Sequence, residues 1–219
     1  MENSNSAVVE LSQVTTSEGQ FPVLSRFTLT AFQGQFIGLY GPTGCGKTTV
    51  LRVVCGITVP ASGTVTVAGQ DLAGLSEGAR RRFRRQIGLF SRSVLPQRGV
   101  LIDAIATPAI LSGHSLGEAR SLAVEALSIC GIEPLSDSRM RDLSEGEKQL
   151  ACLAQSLVGK PFLILADEPT EYLDQERAET VLTILSEYAR GGGTVLAVSH
   201  NPLPGSYATA IDMEKLHHV

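Results

Sequence analysis

GPTGCGKT, residues 41–48, is the stretch on which the reading of this chain turns. It fits the pattern G-x-x-x-x-G-K-[ST] without a mismatch, between a strand-like apolar run, FIGLY at 36–40, and a helix-forming run, TTVLRVV at 48–54. A phosphate-binding loop needs both contexts. Gly41, Gly44 and Gly46 let the backbone wrap closely round phosphates, so that N–H groups and the helix N-terminus point inward. Lys47 supplies a point charge for the β- and γ-phosphates, and the Thr48 hydroxyl is placed to bind Mg²⁺, with Thr49 beside it. Pro42, Thr43 and Cys45 fill the variable positions, so bulk added to Cys45 by alkylation is expected to block nucleotide. The competing reading is a glycine-rich turn with a stray lysine.

Working outward, strand patterns cover 8–14 and 23–30, with turn residues at Ser17, Glu18 and Gly19 and again at Gln33 and Gly34. TVTV at 64–67, ended by Ala68 and Gly69, adds another strand. The helix after the loop runs over 47–55, with Gly56 as its stop. From about 75 the pattern turns helical. A short apolar run at 87–90 suits a buried strand, and 101–111 reads as a helix carrying Pro108. Ser115 and Glu118 form a capping-box pattern that opens a helix to Cys130, halted by Gly131. Residues 162–166 and 194–199 are continuous apolar or β-branched runs, as parallel strands covered on both faces read, and a helix at 175–189 separates them. Strands alternating with helices imply an α/β fold with crossover connections.

Two further stretches bear on chemistry. FLILADEPT places Asp167 and Glu168 at the C-terminal end of a buried strand, where open α/β sheets put their ligands. Burying adjacent carboxylates alone is costly, and a metal supplies a reason for them: Asp167 as a ligand through water, Glu168 as the group that orients and deprotonates an attacking water. DLSEGEKQL at 142–150 poses a choice of its own. Ser144 with Glu147 three residues later is another capping box, so the stretch marks either an ordinary helix start or a helix start used to bind phosphate. His200 follows the strand TVLAVS and so also stands at a carboxyl end.

With 219 residues and 43% hydrophobic content, the chain is long enough for a sizeable core. The net charge of −4 gives no general basic field for nucleic acid or anionic lipid. Arg80, Arg81, Arg82, Arg84 and Arg85 around Phe83 are a local exception, read as a solvated helix face or as a docking surface for a partner or lipid headgroups. Cysteines at 45, 55, 130 and 152 lack metal or redox spacing and imply no dense disulfide framework. No stretch has the ~18 apolar residues of a membrane span, and the polar N-terminus lacks signal-peptide features, so a soluble, cytoplasmic chain is expected.

In order along the chain, these motifs resemble those of the nucleotide-binding subunits of ABC transporters. Residues 41–48 look like the Walker A loop and LILADE the Walker B strand. LSEGE at 143–147 resembles the LSGGQ signature, Tyr172, Leu173 and Asp174 part of the D-loop, and His200 the switch histidine. The likeness runs from about residue 8 to 213 and is nearest to the lipoprotein-releasing, macrolide-exporting and cell-division ATPases. It implies one ABC-type P-loop NTPase domain: a mostly parallel core sheet with an N-terminal antiparallel β subdomain over 8–90 and 160–213, and a helical subdomain over 91–158. It also implies a homodimer closed head to tail round two MgATP, with Ser144, Gly146 and Glu147 at the partner's nucleotide and the helix dipole exploited there. His200 would then bind the γ-phosphate beside Glu168. An integral membrane permease is the implied partner, the chain lying peripherally on the inner face of the cell membrane, and no nucleic acid is expected. The alternative is an ATP-gated regulator that signals through a membrane protein without moving a substrate.

Three places depart from the family pattern. The Q-loop glutamine is replaced by Ser91 or Arg92 in SRSVLPQ, which implies slower or more partner-dependent hydrolysis. Glu145 and Glu147 stand for glycine and glutamine in the signature, opposing an approaching triphosphate by roughly 1 kcal/mol each if unscreened. The aromatic that stacks on adenine is missing near Thr15 and Thr16, leaving Phe21 as the nearest ring.

Overall fold

The computed structural model describes residues 6–18 and 21–216; at Glu18, Phe21, Pro22 and Leu216 it describes the backbone alone. The chain opens with β1 (Ala7–Glu18), β2 (Phe21–Phe32) and β3 (Phe36–Tyr40), then α1 (Lys47–Val54), β4 (Ser62–Val67) and β5 (Gln70–Asp71). α2 (Glu77–Arg84), β6 (Ile87–Phe90), α3 (Leu101–Leu111), α4 (Leu116–Ile129) and α5 (Glu145–Leu157) follow. β7 (Leu163–Asp167), α6 (Gln175–Arg190), β8 (Thr194–Ser199) and β9 (Thr209–Asp212) complete the core.

Two sheets result, as the α/β reading implies. One is antiparallel, in the order β2-β1-β4-β5, and the other has the order β6-β7-β8-β3-β9 with parallel pairs throughout. β1 buries Val9 and Leu11, then Val14 and Thr16. The alternation slips by one residue between Leu11 and Val14, where the register shifts and Gln13 takes φ 52. This is a bulge, and it returns the following residues to the core face.

The parallel sheet divides the core by the period of two that strands impose. Leu163, Leu165, Leu196 and Val198 face the cluster formed with α1 and the antiparallel sheet. Ile164, Ala166, Val195 and Ala197 face the cluster built by α3, α4, α5 and α6. All six residues of β8 are buried, which is why its sequence shows no polar alternation.

α3 runs through Pro108 because a substitute donor is supplied. A proline inside a helix leaves the carbonyl four residues earlier without its usual N–H partner. That carbonyl is Ala104 O, and the buried Gln155 of α5 donates to it from Nε2 at 2.8 Å. The arginine run lies on α2 with Phe83 buried; Arg84 pairs with Glu77 Oε1 at 2.7 Å and donates to Gly56 O at 3.3 Å. β9 has no counterpart in the sequence reading. Its TAID run is short, only partly buried and too polar to show strand alternation, and among the described residues it pairs with β3 alone.

Candidate functional site

β3 ends at Tyr40 and α1 starts at Lys47, so the glycine-rich loop spans a strand end and a helix start. Gly46 caps α1 at φ 93, a left-handed conformation that glycine adopts without strain. A Cβ there would also lie 2.7 Å from Leu24 Cδ2 and 3.1 Å from Val23 O, so β2 buttresses the loop. Lys47 is buried, 7% exposed, and its Nζ donates to Gly41 O at 2.6 Å and Pro42 O at 2.9 Å. The ammonium is thereby held inside the loop's own curve. Pro42, Thr43, Gly44 and Thr48 are exposed, Cys45 and Thr49 half-buried.

Three neighbouring strands deliver the other groups. β7, β8 and β3 are adjacent, and register pairs Asp167 with Val198 and Tyr40 with Ser199. Their carboxyl ends therefore finish at one level, with Glu168 after β7, His200 after β8 and the loop after β3. Glu168 takes φ 48 while its N–H donates to Val198 O at 2.9 Å, which fixes its backbone. Its Oε2 accepts from the His200 N–H at 3.2 Å, and its Oε1 lies 3.5 Å from His200 Nε2. Desolvation pushes the Glu168 carboxyl up, and the His200 N–H and imidazole oppose it. Asp167 is also pushed up, by desolvation first and by Glu171 second, with Lys47 and Arg52 opposing. A half-buried carboxylate at the end of β7 and an exposed Thr48 hydroxyl at the start of α1 are donors of the kind that suit a hard cation taking most of its ligands from phosphate and water.

The start of α5 is a formed capping box. Ser144 Oγ accepts from Glu147 N at 3.3 Å, and Glu147 Oε2 accepts from both Ser144 N and Ser144 Oγ at 2.7 Å. Those bonds hold the Glu147 carboxyl below its ordinary range. Gly146 is covered by Arg177 of α6, whose Nη1 lies 2.2 Å from where a Cβ would stand. Glu145 is paired with Arg92, and its Oε1 accepts from Lys148 Nζ at 2.8 Å. Each acidic residue of this turn thus has a cation near it.

Gln149, a positioning residue, and Arg177, which covers Gly146, are two neighbours of this turn that sequence reasoning missed. Gln149, 2% exposed, donates to Pro169 O at 3.0 Å and Glu168 O at 3.4 Å, tying α5 to the segment that carries Glu168. The available signal was a glutamine on the apolar face of a helix, one position before Leu150. At the Q-loop position, Ser91 Oγ lies 3.1 Å from Ser93 Oγ, while Arg92 reaches Glu145 and stacks on Tyr172. Thr16 is buried and its hydroxyl accepts from Leu24 N, and Thr15 accepts from Arg26 N, so both serve the β1–β2 pairing. The Phe21 side chain lies outside the described residues.

Residues 24–171 match the ABC transporter family. The chain is 36% identical over 184 residues to the lipoprotein-releasing system ATP-binding protein LolD of Bordetella pertussis, covering 82% of this chain and 79% of that one. It is 35% identical to the methionine import ATP-binding protein MetN of Cupriavidus metallidurans, of whose length it covers 54%. Among solved structures it resembles the dimeric ATP-binding cassette MJ0796 in a post-hydrolysis state with ADP and Pi, with a TM-score of 0.81 and 27% identity over 88% of each chain. These are names of transport components, so the regulator alternative is not favoured. The chain belongs to the ABC transporter family, as one of its ATP-binding, ATP-hydrolysing subunits.

Proposed function

We propose that two copies of this chain close head to tail round two ATP molecules, hydrolyse them in the closed state, and use the cycle of closing and opening to drive a membrane permease. The observation that carries this reading is the convergence of the loop, Asp167, Glu168 and His200 at three adjacent strand ends. Gly41, Gly44 and Gly46 give the loop its curvature, and Lys47 turns its ammonium from the loop carbonyls to the phosphates. Thr48 and Asp167 would hold Mg²⁺, which when bound offsets phosphate charge. Glu168 takes a proton from the attacking water, and His200 orients both Glu168 and the γ-phosphate. Ser144 and Gly146 present the α5 N-terminus to the nucleotide of the opposite copy.

No helix among the described residues is long and apolar enough to cross a membrane; the likeness to ATP-binding components of transport systems supports a separate membrane protein as the partner. A cavity of about 540 Å³ lined by Arg81, Arg84, Leu89, Val94 and Leu111 supports docking beside the Q-loop position, with the chain peripheral on the inner membrane face. ATP turnover in the wild type, Lys47→Ala and Glu168→Gln tests the assignment. Each variant is expected to lose at least about 100-fold in kcat, in keeping with the loss of a general base or a phosphate-stabilising charge. Turnover surviving Glu168→Gln removes Glu168 from its role.

A further inference from the structure

Arg92 joins three segments that are separate in sequence. It follows β6, it pairs with Glu145 in the first turn of α5, and its guanidinium carbon lies 4.8 Å from the centroid of the Tyr172 ring. Tyr172 belongs to the segment after Glu168 and holds φ 63. A guanidinium suits this arrangement because it bonds a carboxylate with its edge while its face stacks on a ring; an ammonium lacks that planar geometry. Glu145 is also held by Lys148 at 2.8 Å. Arg92 is 40% exposed and Glu145 55%, so the pair adds little to folding stability. Its electrostatic effect is local: a carboxylate in the first turn of a helix, with two cations on it, presents far less negative potential to an incoming anion than a bare one.

We infer that Arg92 is a positioning residue, which masks the charge of Glu145 and fixes the start of α5 against the segment after Glu168, so that the two residues act as one unit. The consequence at the nucleotide rests on the proposed use of the α5 N-terminus by the opposite copy. In that setting Arg92 and Glu145 are conditional on each other. Glu145 is tolerated near a triphosphate because Arg92 neutralises it, and Arg92 is needed because Glu145 is there.

The test is a double-mutant cycle of Arg92→Ala and Glu145→Gly, read in two ways. In chains that also carry Glu168→Gln, the ATP concentration for half-maximal dimerisation is measured by light scattering. Arg92→Ala is expected to raise it about three- to tenfold and Glu145→Gly to cancel most of that rise, while Arg92→Lys, which keeps the charge but not the planar geometry, falls between the parent and Arg92→Ala. Added salt should shrink the Arg92→Ala effect. Equal effects of Arg92→Ala with and without Glu145 overturn the inference. The second readout is amide hydrogen exchange of residues 143–148 in the nucleotide-free chain. Arg92→Ala is expected to speed it in the presence of Glu145 and not in its absence, and an unchanged rate in both backgrounds overturns the inference even if no chain dimerises. Failure of all chains to dimerise counts instead against the proposed head-to-tail closure, and the exchange cycle still decides the role of Arg92.

Discussion

Two opposing effects meet at Glu168: desolvation raises its carboxyl, while the His200 N–H and imidazole favour its charged form. A general base must be ionised, so the acid limb of the turnover profile is expected above the range of an exposed glutamate. His200→Ala removes the imidazole and keeps the backbone N–H, so it should move that limb higher still. Steady-state rates over about pH 5 to 8 check this, and a limb that stays put or moves down contradicts it. The same desolvation has a stability sign. Asp167 and Glu168 are raised on folding, so the stability they contribute is present below their unfolded values and lost as pH rises through the folded ones. Asp167→Asn should therefore raise Tm at neutral pH and lose that gain in acid; a lower Tm at pH 7 would count against the argument. Among the cysteines, burial raises the Cys55 thiol and pushes Cys130 and Cys152 up to about 12, while Cys45 is half-buried in the loop. One equivalent of iodoacetamide should accordingly label Cys45 and abolish ATP binding, with mass spectrometry locating the adduct. At this scale the loop, Asp167, Glu168 and His200 could be named from sequence because each sits at the end of an apolar run. The pairing of Arg92 with Glu145 could not, because 53 residues separate the two and only the fold brings them together.

Elements were readable where their period was strong. Strands β7 and β8 and the capped helices α4 and α5 stand where continuous apolar runs and Ser-x-x-Glu patterns put them. Where backbone demands are met by distant side chains, the sequence was silent. α3 is the instructive case, since a helix with an internal proline depends here on Gln155 of α5. Gln155→Leu should cost about 1–3 kcal/mol by leaving Ala104 O buried without a partner. Pro108→Ala restores the helical N–H and should recover much of that loss in urea unfolding; additive effects would break the link. Ser144→Ala is expected to cost about 1 kcal/mol as a lost helix cap. The bulge at Gln13 is a similar case: β1 reads as one strand, yet its inward set changes register midway through a local positive φ that no residue type announces.

At the scale of the molecule, the antiparallel sheet buttresses the phosphate loop through Leu24, and α5 is tied to the Glu168 segment through Gln149. Within one chain, the bonds of Lys47 stay in its loop and those of Ser144 stay in its capping box. The proposed sandwich joins the two sets by pairing chains. The family and fold were legible because several short motifs occur in a fixed order; the electrostatic state of the α5 start was not, because Arg92 and Arg177 arrive from other elements. The most direct test is light scattering of the Glu168→Gln chain with and without MgATP. Head-to-tail closure predicts a shift from monomer to dimer on adding ATP, abolished by Lys47→Ala and weakened by Ser144→Ala. A chain that stays monomeric with saturating ATP, even with its membrane partner present, would contradict it.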